Sequence, residues 1–215
     1  MKIAKGGISW IITSLIINLL FILSSYILYG IFQIFNIIIL SFSLLITFIL
    51  IVFFRDPNRH IGEDIVAVAD GKIREIKNLE DGEVGKCINI STFMNLHNVH
   101  INRMPIDGKI IKIQHFKGGH IPAFKKESEN NERVIILIKT KIGTVKIIQI
   151  AGTLARRIVP YIKMGDSVEK GEKIGLIRFG SRVDIYIPSN NIKNVAVKLK
   201  DKVIAGEDTI AKIND

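Results

Sequence analysis

A serine that follows a glycine between two strand-like runs can turn its hydroxyl on the peptide bond before it. The stretch Arg178-Phe179-Gly180-Ser181-Arg182-Val183-Asp184 offers this arrangement, between apolar runs at 173–177 and 183–187. The spacing predicts a tight turn at Gly180-Ser181. Glycine has no Cβ to obstruct Ser181 Oγ on its way to the Gly180 carbonyl, and it tolerates strained dihedrals. The chain can then attack itself. Gly-Ser is equally an ordinary turn pair, so this reading needs a base and a carboxylate from elsewhere.

The base candidates lie in Phe93-Met94-Asn95-Leu96-His97-Asn98-Val99-His100-Ile101-Asn102-Arg103-Met104-Pro105. From Val99 onward the alternation predicts a strand with His100 and Asn102 on one face and Val99 and Ile101 on the other. His97 falls near the bend into that strand. The plain alternative is a pair of partly exposed polar residues. A metal site is not expected: no third ligand clusters with the two histidines, and Cys87 is remote. His60, His115 and His120 stand elsewhere in the chain. The carboxylate candidate is Asp70, in Val66-Ala67-Val68-Ala69-Asp70-Gly71-Lys72-Ile73. It is either a turn residue before glycine or the group that orients an imidazole and stabilises its cation in a serine–histidine–aspartate arrangement.

The elements that must carry these residues divide sharply by composition. The chain has 215 residues, 48% of them hydrophobic, a net charge of +10 and a pI near 9.7. Residues 8–54 contain no charge at all. Lys2 and Lys5 account for two of the ten net charges, leaving +8 on residues 55–215. Breaking at Tyr29-Gly30, the apolar region predicts two transmembrane helices, about 8–29 and 32–54. At about 1.5 Å rise per residue, each is long enough for a hydrocarbon core of roughly 30 Å. A signal peptide would have a shorter apolar core and a small-residue cleavage site; a single span with an interfacial segment is the other alternative. Lys2, Lys5, Arg55 and Arg59 flank the hairpin while Gly30-Ile31-Phe32-Gln33 is uncharged, which predicts both ends on the cytoplasmic side. The expected division is a membrane hairpin over 1–54 and a β-rich domain over 55–215.

Asp56-Pro57-Asn58-Arg59 should end the second helix. Beyond it, short runs rich in Ile and Val predict strands at 65–68, 72–76, 87–90, 99–101, 109–113, 134–138, 145–150, 173–177, 183–187 and 195–199. Asp70-Gly71, Asp81-Gly82 and Asp107-Gly108 mark turns between them. The fold class is therefore mainly β, a sandwich or barrel. Val168-Glu169-Lys170-Gly171-Glu172 and Val203-Ile204-Ala205-Gly206-Glu207 echo each other. They resemble the turn of biotinyl and lipoyl carrier domains and their enzyme relatives, which implies a barrel-sandwich-hybrid-like β domain. Cys87 is the only cysteine, so no internal disulfide forms.

Seven segments in order resemble phosphatidylserine decarboxylase, specifically the short branch that includes archaeal archaetidylserine decarboxylases. They are Phe54-Arg55-Asp56-Pro57, Ala69-Asp70-Gly71-Lys72, Asn98-Val99-His100-Ile101-Asn102-Arg103, Pro122-Ala123-Phe124, Asn131-Glu132-Arg133, Ala151-Gly152 with Ala155-Arg156-Arg157-Ile158, and the opening Arg178 to Asp184 stretch. Many members have proline where Val68 stands, and the better-known bacterial enzymes have Gly-Ser-Thr in place of Gly180-Ser181-Arg182. Neither departure removes a reacting atom.

The resemblance implies a proenzyme that splits itself. Ser181, activated by His100 with Asp70 behind it, attacks the Gly180 carbonyl, and elimination then separates a β chain of 1–180 from an α chain of 181–215. Ser181 becomes a pyruvoyl group, the expected covalent cofactor; no pyridoxal-phosphate lysine motif is evident. Its ketone takes the headgroup amine of a serine phospholipid and accepts the electrons released with carbon dioxide, giving the ethanolamine lipid. His97 or His100 would return the proton. Arg103, Arg156, Arg157, Lys125 and Lys126 are candidates for the phosphodiester. The implied partners are the lipid, the membrane and the two chains as a heterodimer, with any pairing of heterodimers left open. No nucleic-acid recognition motif is evident, and an anionic membrane accounts for the basic charge. The competing reading is a membrane-tethered carrier or adaptor domain with Lys163 as its modified residue. A related metallopeptidase is disfavoured by the absence of a His-x-His pair.

Overall fold

Two helices with no charged side chain form the first of two compact units, which ends at Pro57. In this computed structural model the described residues are 2–119, 131–152, 157–178 and 181–214. Helix α1 (Ile8–Ser24) and helix α2 (Ile31–Phe53) are preceded and followed by β1 (Lys2–Ile3) and β2 (Arg55–Asp56), which pair antiparallel. The hairpin is inside out by the standards of a water-soluble protein. Ile12, Leu19, Phe32, Ile34, Phe42 and Phe48 are exposed, whereas Ser14, Asn18, Asn36 and Thr47 are buried.

Those buried polar groups join the helices. Thr47 has one hydroxyl proton and gives it to the Ser43 carbonyl at 2.9 Å, so it accepts from Ser14 Oγ and Asn18 Nδ2, both at 2.8 Å. Nearer the connection, Asn36 Nδ2 donates to Phe21 O at 3.0 Å and to Ser25 Oγ at 2.9 Å, while its Oδ1 accepts from Ser24 at 2.8 Å. Hydroxyl and amide bridges of this kind hold helices together where lipid cancels the hydrophobic drive, at roughly 0.6 kcal/mol each. Thr47→Val is expected to weaken the hairpin by about 1 kcal/mol through the two bridges it accepts, read as a lower detergent midpoint for helix separation.

Helix α1 stops at Ser24, short of the span to residue 29 expected from hydropathy. The hydroxyls of Ser24 and Ser25 both turn back to Phe21 O, and Tyr26 N donates to Leu23 O, so the chain tightens into a turn. Helix α2, at 23 residues, is long and apolar enough to cross a membrane.

From Asn58 onward the chain is mainly β, as its composition predicts. In order the strands are β3 (Ile65–Val66), β4 (Gly71–Asp81), β5 (Gly85–Met94), β6 (Ile101–Arg103), β7 (Gly108–Phe116), β8 (Arg133–Thr140) and β9 (Gly143–Ala151). After these come β10 (Ile158–Pro160), β11 (Ser167–Val168), β12 (Lys173–Ile177), β13 (Ser181–Pro188), β14 (Ile192–Val195), β15 (Lys202–Val203) and β16 (Thr209–Ile213). One antiparallel sheet of eight runs β11-β7-β8-β9-β13-β5-β4-β15, and two three-stranded sheets run β10-β12-β6 and β14-β16-β3. Ile73, Ile90, Ile136, Ile147, Ile174 and Ile185 are among the residues that fill the interior.

The repeated Val-x-x-Gly-Glu turns explain how the long sheet curls. Their valines sit in β11 and β15, the two outermost strands. Their glycines, at φ 85° and 80°, adopt the left-handed conformation that favours glycine, and they donate to Met104 O and Ala67 O in matching fashion, each at 2.8 Å. A Cβ on Gly206 would lie 3.8 Å from Gly171 Cα, so the two edges meet there. The expected strand at 195–199 is displaced to β14, because the chain turns at Lys200, φ 75°, with Asp201 Oδ2 capping Lys198 N at 2.8 Å.

Candidate active site

Ser181 opens β13, which is hydrogen-bonded on one side to β5 and on the other to β9. Cross-strand pairing sets Ser181 opposite Met94 and Ala151. Alternation then puts it on the interior face with Val183, Ile185 and Ile187, where it is 0% exposed. Its hydroxyl donates to Met94 Sδ at 3.1 Å. Phe179 and Gly180 fall outside the described residues, so the expected turn is seen only at its two ends, Ile177 closing β12 and Ser181 opening β13.

A buried polar group adjoins the same sulfur. Asn102 Nδ2 points to Met94 Sδ at 3.8 Å, and Asn102 Oδ1 accepts from Gln149 Nε2 at 2.7 Å. Gly175 leaves room for this amide, since a Cβ there would stand 3.0 Å from Gln149 Nε2. Gln149 Oε1 is buried with no hydrogen-bond partner among the described residues. Asn131 Nδ2 donates to the carbonyl of Ala151, the cross-strand neighbour of Ser181, at 2.8 Å. Gln149→Leu would strand Asn102 Oδ1 in the interior. A loss of about 1–3 kcal/mol in unfolding free energy is expected, measured by denaturant titration.

His100 is fully buried just before β6, and its carbonyl accepts from Ile177 N at 3.2 Å. His100 Nδ1 lies 2.9 Å from Asn98 O. A carbonyl can only accept, so that nitrogen carries a proton, and in the neutral ring Nε2 is then the nitrogen able to act as a base. His97 is exposed in the 95–98 turn, which Asn98 closes by accepting from Asn95 N at 2.8 Å. The two histidines therefore occupy different environments, one interior and one at the surface.

Asp70 reaches this region by another route. Its Oδ2 meets Arg59 Nη2 at 2.8 Å and its Oδ1 accepts from Ala205 N at 2.8 Å; the Val99 amide is also directed at the carboxylate. Burial pushes the carboxyl above the usual range, while these amides and Arg59 pull it back. In the expected arrangement a carboxylate would hold His100 Nδ1; here that nitrogen faces Asn98 O, and Asp70 holds the backbone beside it.

Arg103, at the far end of β6, donates from Nη1 to Gly171 O at 2.8 Å. With Ile61, Tyr161, Lys170 and Lys173 it lines a cavity of about 660 Å³ that Ser181 does not line. Arg157 is exposed. Arg156, Lys125, Lys126 and His120 lie outside the described residues. Lys163, the residue of the carrier-domain alternative, is exposed in the turn before β11. Among the described residues, no group of three or more His, Cys, Asp and Glu is placed to hold a metal ion.

The sequence model for phosphatidylserine decarboxylase matches residues 46–211. The chain belongs to the phosphatidylserine decarboxylase family. A Methanococcoides burtonii protein that bears the name of an archaetidylserine decarboxylase proenzyme is 43% identical over 98% of this chain and 96% of its own. A phosphatidylserine decarboxylase proenzyme of Streptomyces avermitilis is 48% identical over 72% of this chain and 69% of its own, and one of Thermobifida fusca is 49% identical over the same shares. Membership makes the chain a decarboxylase and removes the ground for the carrier-domain alternative. Two residues beside Ser181 and Asn102 were not singled out from sequence, Met94 and Gln149, and Arg59 was seen only as a charge flanking the hairpin. Gln149 had a visible signal, as the one amide in the apolar run 145–150.

Proposed function

We propose that this chain is a proenzyme that splits itself at Gly180-Ser181 and then decarboxylates a serine phospholipid, phosphatidylserine or archaetidylserine, to its ethanolamine counterpart. The observation that carries this reading is Ser181, wholly interior at the head of a central strand, in a family of decarboxylases. His100 Nε2 takes the Ser181 hydroxyl proton as Oγ bonds to the Gly180 carbonyl carbon. The Gly180–Ser181 C–N bond then breaks, leaving an ester. Loss of the Ser181 α proton expels the Gly180 carboxylate from Cβ, and one water replaces the nitrogen as ammonia to leave a ketone. The resulting pyruvoyl group supplies an electron sink for the pair left when carbon dioxide departs.

The surroundings of Ser181 suit such a group: apolar neighbours exclude water, and the Asn102–Gln149 pair offers polar atoms without a charge. His100 returns the proton to the substrate carbon; His97 stands at the surface. Residues 1–180 and 181–215 form the β and α chains of a heterodimer. We assign the helical unit to the membrane, with α1 and α2 as a hairpin whose ends lie in the cytoplasm beside Lys2, Lys5, Arg55 and Arg59. The +8 charge of the remainder favours an anionic leaflet, at about 1 kcal/mol per well-placed Lys or Arg. Arg103, Arg156 and Arg157 are the candidates for the phosphodiester. The test is carbon dioxide release from vesicles of serine-headgroup lipid, with ester-linked and ether-linked tails in parallel. No release from either would overturn the reading.

A further inference from the structure

Arg59 lies three residues past Asp56 in a segment expected to end a helix and to flank a membrane span with charge, yet its side chain is 10% exposed. It reaches two carboxylates, Asp70 Oδ2 at 2.8 Å and Glu207 Oε1 at 3.6 Å. Its Nε is buried with no hydrogen-bond partner among the described residues. An arginine left short of one bond in the interior costs stability, so packing alone gives it no reason to be there. Asp70 is held in turn by Ala205 N, and its carboxylate faces the Val99 amide. Val99 joins the carbonyl that fixes the His100 tautomer to His100 itself. Ala205 and Glu207 both come from beyond Ser181. Their turn is tied to the same segment by Gly206 N to Ala67 O at 2.8 Å and Gly62 N to Gly206 O at 3.0 Å.

We propose that Arg59 is a positioning residue for self-splitting: with Ala205 and Glu207, it holds Asp70 against the backbone that carries His100. The proposal rests on the reading of Ser181 and His100 given above. It also sets an order of events, because the base is not in place until chain downstream of the scissile bond has docked. Full-length folding thus precedes scission.

The groups that meet Asp70 are Arg59 on the entry segment, Ala205 N on the C-terminal turn and the Val99 amide before β6, with Glu207 sharing the Arg59 guanidinium. Arg59 is the cation in direct contact, so its removal raises the pH at which Asp70 gains a proton and lets go of the backbone amides. Arg59→Gln should slow splitting at least tenfold at neutral pH. It should also move the acid limb of the splitting rate upward by about one pH unit, the lower end of the effect of a neighbouring cation. Arg59→Lys, which keeps the charge but loses the fork, should recover part of both and still split measurably more slowly than wild type. The measurement is chain length against time by gel electrophoresis of folded precursor, from pH 5 to 9, with melting followed alongside. A lower melting temperature with an unmoved acid limb would show a merely structural arginine and overturn the proposal, as would a wild-type rate in Arg59→Gln. If Arg59→Gln does not fold, Arg59→Lys decides: a limb and rate unchanged from wild type after loss of the guanidinium fork sink the idea, and slower splitting supports it. Wild-type chain that never splits defeats the underlying reading; wild type that splits, with His100→Ala blocked and Arg59→Gln unaffected, defeats only this one.

Discussion

Ser181→Ala is expected to yield a full-length chain with no decarboxylase activity. In the proposed reaction the Ser181 oxygen attacks the Gly180 carbonyl and becomes the bridging oxygen of the ester, so without it neither scission nor the ketone would arise. The expected loss is on the order of 10⁴-fold or more, the scale on which removal of a covalently acting side chain is felt. Folding is the needed control, and here it is simple. Among the described residues Ser181 Oγ donates only to a thioether sulfur, a weak acceptor, so alanine should cost less than about 1 kcal/mol. A variant that melts with the wild type yet neither splits nor releases carbon dioxide fits the proposal. A Ser181→Ala protein that separates normally into two chains on a denaturing gel contradicts it.

His100→Ala should arrest splitting at the precursor, slowing it by about 10²–10⁴-fold, the usual contribution of a general base. This substitution removes more than a base: the ring is fully buried, and Asn98 O loses the proton it accepts. His100→Gln is the better companion, since its amide can still donate toward Asn98 O while being unable to take a proton from serine. Both variants should split far more slowly than wild type, with His100→Gln keeping more of the wild-type melting temperature. His97→Ala, by contrast, changes a side chain exposed in the 95–98 turn and should leave the splitting rate within about twofold. A His97 variant arrested at the precursor, with His100→Gln unaffected, would reverse the assignment of the two rings.

How much of this was legible in the residues depended on range. The β class and most strand positions follow from local runs of Ile and Val between Asp-Gly turns, and each of the ten expected strands overlaps an observed one, the last by Val195 alone. Strand 195–199 was misplaced because Lys200 takes a left-handed turn that lysine seldom marks. The serine, the histidine and the aspartate were visible as residues, but their connections were not. His100 Nδ1 meets a carbonyl two residues away, a contact with no side-chain signature, and Asp70 meets an arginine that the sequence offered only as a membrane-flanking charge. Asn102 appeared only as the companion of His100 on one face of an alternating strand; both faces proved covered, so its amide lies in the interior. The inner length of α1 was overestimated because hydropathy does not register serine hydroxyls folding back on Phe21 O.

The place of β13 between β5 and β9 has a consequence for the life of the molecule. A cut at its first residue frees a chain end without releasing a strand, because both ladders of backbone hydrogen bonds lie downstream of the cut. The 35 residues of the shorter product would remain woven into the larger one, unable to dissociate, exchange with another copy or be replaced once the new end is damaged. Activation by the proposed cut would be a one-way commitment on such a scaffold, and restoring lost activity would require a freshly synthesised polypeptide.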